Sequence, residues 1–264
     1  MTSRIENFEL KEIQQKLLEI AKVFHKICEK NQIMYYMLGG TMLGAVRHKG
    51  FIPWDDDMDF GVMLDDFPRL KKILREELPS YYKIRTIDNS NSISNSVIKI
   101  EDCRYEIVEV EKEEVNDCIG LNIDVFPLSK TGPSEGFLSR NWLAKQLIRV
   151  NWCRYLNYRE RGPVKYLISK VLSTLMCILP RKLLPYIIEK KIIPHKGNYI
   201  TNYWDNEIVR DDVMGVPCKY AFEDTFFWGV ANTDEYLKRL YGDYMKIPSR
   251  DEIHVHIVKC KRRN

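Results

Sequence analysis

Apolar residues Leu10, Ile13, Leu17, Ile20, Phe24 and Ile27 recur at helical spacing with Lys and Glu between them, which predicts an amphipathic helix over about 8–30. The continuous run "IMYYML" from Ile33 predicts a buried strand. Gly39 and Gly40 read as a tight turn, with Thr41 as the N-cap of a short helix to about His48. "FIPWDDDMDFGVML" returns to an extended pattern, because Pro53 disfavours helix and alternation places Asp55, Asp57 and Asp59 on one face. Asp56 falls on the opposite face and is expected to tolerate Asn. A helix over about 66–77 follows. After it come the strand candidates "YYKIRTI", "SVIKIE", "YEIVEV" and "LNIDVFPL", with "DNSNSISNS" as an exposed connection.

Beyond Pro133 the pattern changes to long helical periods around Trp142 to Tyr158 and Val164 to Leu179. The stretch from Tyr220 to Val230 is strand-like again, and a helix starts near Thr233. These changes divide the chain into a core over 1–132, a basic helical subdomain over 133–215 and a C-terminal segment over 216–264 that completes the core. The fold class is α/β (α+β).

Composition narrows the setting. Of 264 residues, 45% are hydrophobic, enough for a substantial core. Seven scattered cysteines without a CxxC pair suggest neither a disulfide framework nor a zinc knuckle, and fit a reducing, cytoplasmic compartment. The N-terminal stretch carries charges where a signal peptide needs an apolar run, so export is not expected. The apolar run Val171 to Pro180 is about half the length of a membrane span. Net charge is only +4, yet between Arg140 and Lys196 Lys and Arg greatly outnumber the acids Glu160 and Glu189. Peripheral attachment to an anionic membrane is the expectation for that segment.

The acids Asp55, Asp56, Asp57 and Asp59 repel one another inside the apolar frame of Ile52, Trp54, Met58 and Phe60. A cation relieves that repulsion, and hard oxygen ligands suit Mg²⁺ or Mn²⁺. A Gly-Gly-Thr turn opening a helix offers N–H donors and a hydroxyl to phosphate, so Gly39, Gly40 and Thr41 are phosphate candidates. Asp124, flanked by Ile123 and Val125 in a later strand, would be costly to bury without a partner, and a metal is one such partner. Arg47 and Lys99 are the nearby cations for phosphate. His254 and His256 share a face if the tail is extended.

"YYMLGGTMLGAVRHKGFIPWDDDMDFGVMLDDF", "SVIKIED", "NIDVFPL" and "YLKRLYGDYMKIP" with a following His resemble the LicD family of phosphotransferases, which includes the fukutin-related proteins. The resemblance implies a nucleotidyltransferase-like mixed sheet flanked by helices. It also implies transfer of a phospho-alcohol from a CDP-linked donor, such as CDP-choline or CDP-ribitol, to a glycan or lipid-linked oligosaccharide, with CMP leaving. By position it makes Asp57 and Asp59 metal ligands, Asp124 a third ligand or the acceptor's base, and His256 the family's histidine, suited to phosphate contact or proton transfer. Phosphocholine is the leading cargo; ribitol or glycerol phosphate is the alternative within the same architecture. A nucleotidyltransferase acting on RNA would also explain the basic segment, but no RNA-binding motif accompanies it, so nucleic acid is not the expected partner.

Overall fold

The computed structural model of the protein describes residues 4–5, 8–90, 93, 97–109, 119–132, 146–147, 150, 163–176, 178, 180, 183–187, 196–201, 208–249 and 256–263. Two short strands, β1 (Arg4–Ile5) and β2 (Phe8–Glu9), pair antiparallel ahead of helix α1 (Leu10–Lys30). The Glu9 N–H donates to the Glu12 carboxylate and secures the helix start. The predicted apolar stripe is the buried face: Ile13, Leu17, Ile20 and Phe24 are fully enclosed. Phe24 packs its ring 5.0 Å from Tyr35 and 5.1 Å from Phe60, joining the helix to the sheet.

That sheet takes β3 (Tyr35–Met37), β4 (Asp59–Met63), β5 (Tyr82–Arg85), β6 (Ile98–Glu109), β7 (Ile119–Thr131), β8 (Tyr199–Thr201), β9 (Ile208–Arg210) and β12 (Ile257–Arg262). Its main path runs β12-β6-β7-β4-β3; β5 also pairs with β6, and β8 joins β7 to β9. Among the described residues only β4 and β7 pair in parallel, so the sheet is mixed. Helix α2 (Gly39–Arg47) fills the connection between β3 and β4, and α3 (Phe67–Glu77) the one between β4 and β5. Helices α4 (Pro163–Met176) and α5 (Leu183–Ile187) come from the middle of the chain, and α6 (Asp211–Met214) follows β9. The hairpin of β10 (Cys218–Phe222) and β11 (Thr225–Gly229) precedes α7 (Thr233–Tyr241), whose N-cap Asn232 accepts from the Glu235 N–H.

Several sequence expectations need correction. Positions 98–101 of "SVIKIE" and 105–109 of "YEIVEV" fall on one strand, β6, with a register shift against β7 between Asp102 and Ile107. Ile93, inside the stretch expected to be exposed, is buried, as is Thr86 just before it. Within 133–215 the short strands β8 and β9 extend the end of β7, which the helical pattern does not announce. Most of the helix expected around Trp142 to Tyr158 lies outside the described residues.

Candidate functional site

Alternation in the sheet gathers the chemistry onto one face. Asp59 on β4 lies beside Asp124 on β7 in parallel register, and Asp124 is paired with Lys99 on β6, which in turn faces Arg85 on β5. Their neighbours Phe60, Val125 and Ile98 are fully buried on the opposite face, where Phe24 of α1 meets Phe60. The row of acids and bases therefore stands on the face turned away from α1. Lys99 Nζ lies 2.7 and 2.9 Å from the two Asp124 oxygens and 2.9 Å from Asn122 Oδ1. Further along the same face, Arg85 clasps the buried carboxylate of Glu101.

The remaining acids come from the loop before β4. Residues 51–58 are not strand, so alternation does not govern them; β4 begins only at Asp59. Gln14 of α1 holds this loop through its side-chain amide, which donates to the carbonyls of Ile52 at 3.2 Å and Asp55 at 2.8 Å. Asp55 and Asp57 nevertheless meet, sharing a side-chain hydrogen bond. Burial, then the neighbouring Asp57 charge, pushes the Asp55 carboxyl up to about 9. A carboxyl that keeps its proton beside another carboxyl is the sign of negative charge crowded into one place.

Asp56 turns the other way. It is 1% exposed, and its carboxylate accepts from the backbone N–H of His256 at 3.0 and 3.1 Å and of Ile257 at 2.6 Å. Burial raises its pKa, while those two N–H groups oppose the rise. This contact fixes the start of β12 against the acidic loop and leaves His256 Nε2 3.5 Å from Asp57 Oδ2. His254 lies outside the described residues.

Helix α2 starts earlier than its sequence suggests. Gly39 and Gly40 form its first turn and Leu38 is the N-cap, so Thr41 is the third helical residue. Gly39 opens the helix at φ +47, a left-handed conformation that glycine adopts without strain. A side chain at Gly40 would bring a Cβ within 2.9 Å of Asp55 Oδ2, so the helix start abuts that carboxyl. Thr41 Oγ1 accepts from the Asp59 N–H at 2.8 Å, and the Gly39 N–H donates to the Tyr236 hydroxyl at 3.0 Å. The Gly40 and Thr41 N–H groups belong to the turn in which no preceding helical carbonyl exists to receive them.

Arg47, the other anticipated cation, is engaged elsewhere. It donates from Nη1 to the carbonyls of Tyr244 at 2.7 Å and Lys246 at 3.4 Å, and its guanidinium carbon lies 6.0 Å from the Trp54 ring centroid. These contacts tie the end of α2 to the segment after α7.

The donor set is chemically suited to a hard divalent cation: carboxylates of Asp57, Asp59 and Asp124, with the proton kept by Asp55 and the Lys99 ammonium marking where positive charge is wanted. Among the described residues, however, no three His, Cys, Asp or Glu side chains are gathered closely enough to hold a metal ion. The parts adjoin one another, but Asp124 is turned to Lys99, and Asp57 to Asp55 and His256. The sequence does not single out Asn122, Gln14 or Tyr236, nor Asp56 as an anchor. Asn122 carries a local signal, since it sits two residues before Asp124 and so shares its face; nothing local marks the other three.

Residues 32–152 match the family described as LicD/FKTN/FKRP, nucleotidyltransferase domain. The chain is 27% identical over 260 residues to the lipopolysaccharide cholinephosphotransferase LicD of Haemophilus influenzae, covering 95% of this chain and 96% of that one. It is also 27% identical over 128 residues to the human ribitol 5-phosphate transferase FKRP, covering 48% of this chain but only 23% of that protein. Among solved structures, the terminal uridylyl transferase 4 from Trypanosoma brucei with bound GTP aligns over 74% of this chain and 60% of its own at 11% identity and a TM-score of 0.26, only a slight likeness.

Proposed function

Taking as premise that residues 32–152 are a LicD/FKTN/FKRP nucleotidyltransferase domain in a phospho-alcohol transferase family, we propose that the protein moves phosphocholine from a CDP-linked donor to a hydroxyl of a cell-surface glycan precursor, releasing CMP. The observation that carries this reading is the parallel register of Asp59 and Asp124 on neighbouring strands, with the Asp59 N–H donating to Thr41 in the first turn of α2. Phosphoryl transfer needs mainly positioning and charge neutralisation, and these are the parts for it.

Asp57, Asp59 and Asp124 would hold Mg²⁺ or Mn²⁺, which when bound supplies neutralising charge to phosphate oxygens. The chain's own groups do the rest. The Gly40 and Thr41 N–H groups receive a phosphate oxygen of the donor, as a helix start does for anions. Lys99 holds the Asp124 carboxylate in place on the sheet face, and stays within reach of the phosphate once that pairing loosens. The acceptor hydroxyl oxygen bonds to the phosphorus carrying the alcohol. The bond from that phosphorus to the bridging oxygen breaks, CMP leaves with the electron pair, and the hydroxyl proton passes to a carboxylate of the site or to solvent.

A polyol phosphate is the second reading, favoured by the relative named a ribitol 5-phosphate transferase. Purified protein supplied with CDP-choline, CDP-ribitol, CDP-glycerol, UDP-sugars and ATP, with and without glycan acceptor, decides between them. Acceptor-dependent CMP release from CDP-choline is expected; release of UDP from UDP-sugars, the product of glycosyl transfer, with no CMP from any donor would refute the transfer reading.

A further inference from the structure

Helix α4 presents an exposed apolar face. Val164, Leu167, Ile168, Val171 and Leu175 are 53–69% exposed, and Ile178 just beyond the helix is 79% exposed. At about 3.6 residues per turn, these positions fall within an arc of roughly 100°. Lys170 is exposed to one side of that arc, and position 165, also a lysine, falls to the other. From Arg161 to Ile188 the sequence contains five basic residues and no acid. With 14 residues, α4 is short of the roughly 20 needed to span a bilayer, and no described helix is long and apolar enough to cross one.

We propose that this face is a docking surface for the anionic surface of a lipid bilayer, with α4 lying in the plane of the headgroups. An apolar stripe flanked by lysines is the pattern of a helix held at an interface by two weak forces together, apolar burial and attraction to anionic lipid. Charge selects the bilayer over a second copy of the chain. Two copies meeting through α4 would bring lysines to lysines with no acid on the same stretch to neutralise them. The surface is independent of the transfer chemistry, although it would bring the site to a lipid-linked acceptor.

Flotation of the full chain with vesicles of phosphatidylcholine alone, and of an equal mixture with phosphatidylglycerol, tests the assignment. At low salt, roughly tenfold more protein should float with the anionic vesicles, and high salt should remove most of that gain. Leu167→Glu combined with Val171→Glu should abolish flotation without altering circular dichroism, since both side chains are exposed; Lys170→Glu alone should weaken it severalfold. Equal flotation with neutral vesicles, or retention by the double variant, would overturn the proposal. A dimer in light scattering that the double variant dissolves, without lipid binding by either form, would instead assign the face to a second copy. CMP release with a water-soluble acceptor should be unchanged in these variants. Its absence from every form, the natural sequence included, counts against the transfer reading and leaves the lipid result standing.

Discussion

In the loop half of the site the Asp55 carboxyl keeps a proton and hydrogen-bonds to Asp57, whereas in the strand half Asp124 rests on the Lys99 ammonium. Both halves answer the same problem, carboxylates crowded where water is scarce, but with different kinds of positive charge. The strand answer follows from the register of β6 and β7, which sets Lys99 opposite Asp124 at any pH where the lysine is charged. The loop answer depends on pH and on what cation is present. A divalent ion bound as proposed would gain most from the loop, where it would displace a proton, and would compete with an ammonium in the strands.

The largest test of that contrast is removal of one carboxylate charge at a time. Asp59→Asn and Asp57→Asn are expected to lower CMP release by roughly a thousandfold or more, with the fold retained by circular dichroism. Near-normal turnover in Asp59→Asn would break the assignment. Lys99→Met is expected to cost less, on the order of 10–100-fold in turnover, while tightening Mn²⁺ binding measured by calorimetry because the competing ammonium is gone. Unchanged metal affinity would show that Lys99 and the ion do not compete for Asp124.

A third test reads stability. The Asp55 carboxyl, raised from 3.8 to about 9, keeps its proton in the folded protein at pH values where the unfolded chain has lost it. Its stabilising contribution is present in full below the unfolded value and disappears as pH climbs through the folded one. The metal-free protein should therefore melt several degrees lower at about pH 8 than at about pH 5, and Asp55→Asn should flatten that slope. Mg²⁺ should recover the lost stability at the higher pH and do little at the lower. The smallest effect sought is a few-fold loss of metal affinity in His256→Ala, since its ring contacts Asp57 at 3.5 Å and is largely exposed.

How far the sequence reaches differs from residue to residue. Asp59 and Asp124 are legible because strand alternation is local: a polar residue between buried neighbours announces its face. The cap of α2 is not legible. Composition points to Thr41, but the helix begins three residues sooner, because Gly39 adopts a backbone conformation that admits it early and no side chain advertises this. Asp56 is legible only by half. Alternation turns it away from the chemistry and so marks it as tolerant of Asn; it does point away, but into two backbone N–H groups of a segment 200 residues later. Asn offers one oxygen where two accept, and its amide would face an N–H, so Asp56→Asn should destabilise by about 1–3 kcal/mol in thermal or urea unfolding. Such a partner is invisible until the sheet is assembled.

That same Asp56 anchor sets the order in which the protein becomes functional. The acidic loop leaves the ribosome early, yet its central carboxylate lacks these N–H donors until the strand beginning at Ile257 has been made and has docked against β6. Contacts this distant in sequence form late and slowly. The finished acidic loop thus waits on 200 further residues of synthesis, and a nascent chain carrying every acid of the motif is not yet an assembled site.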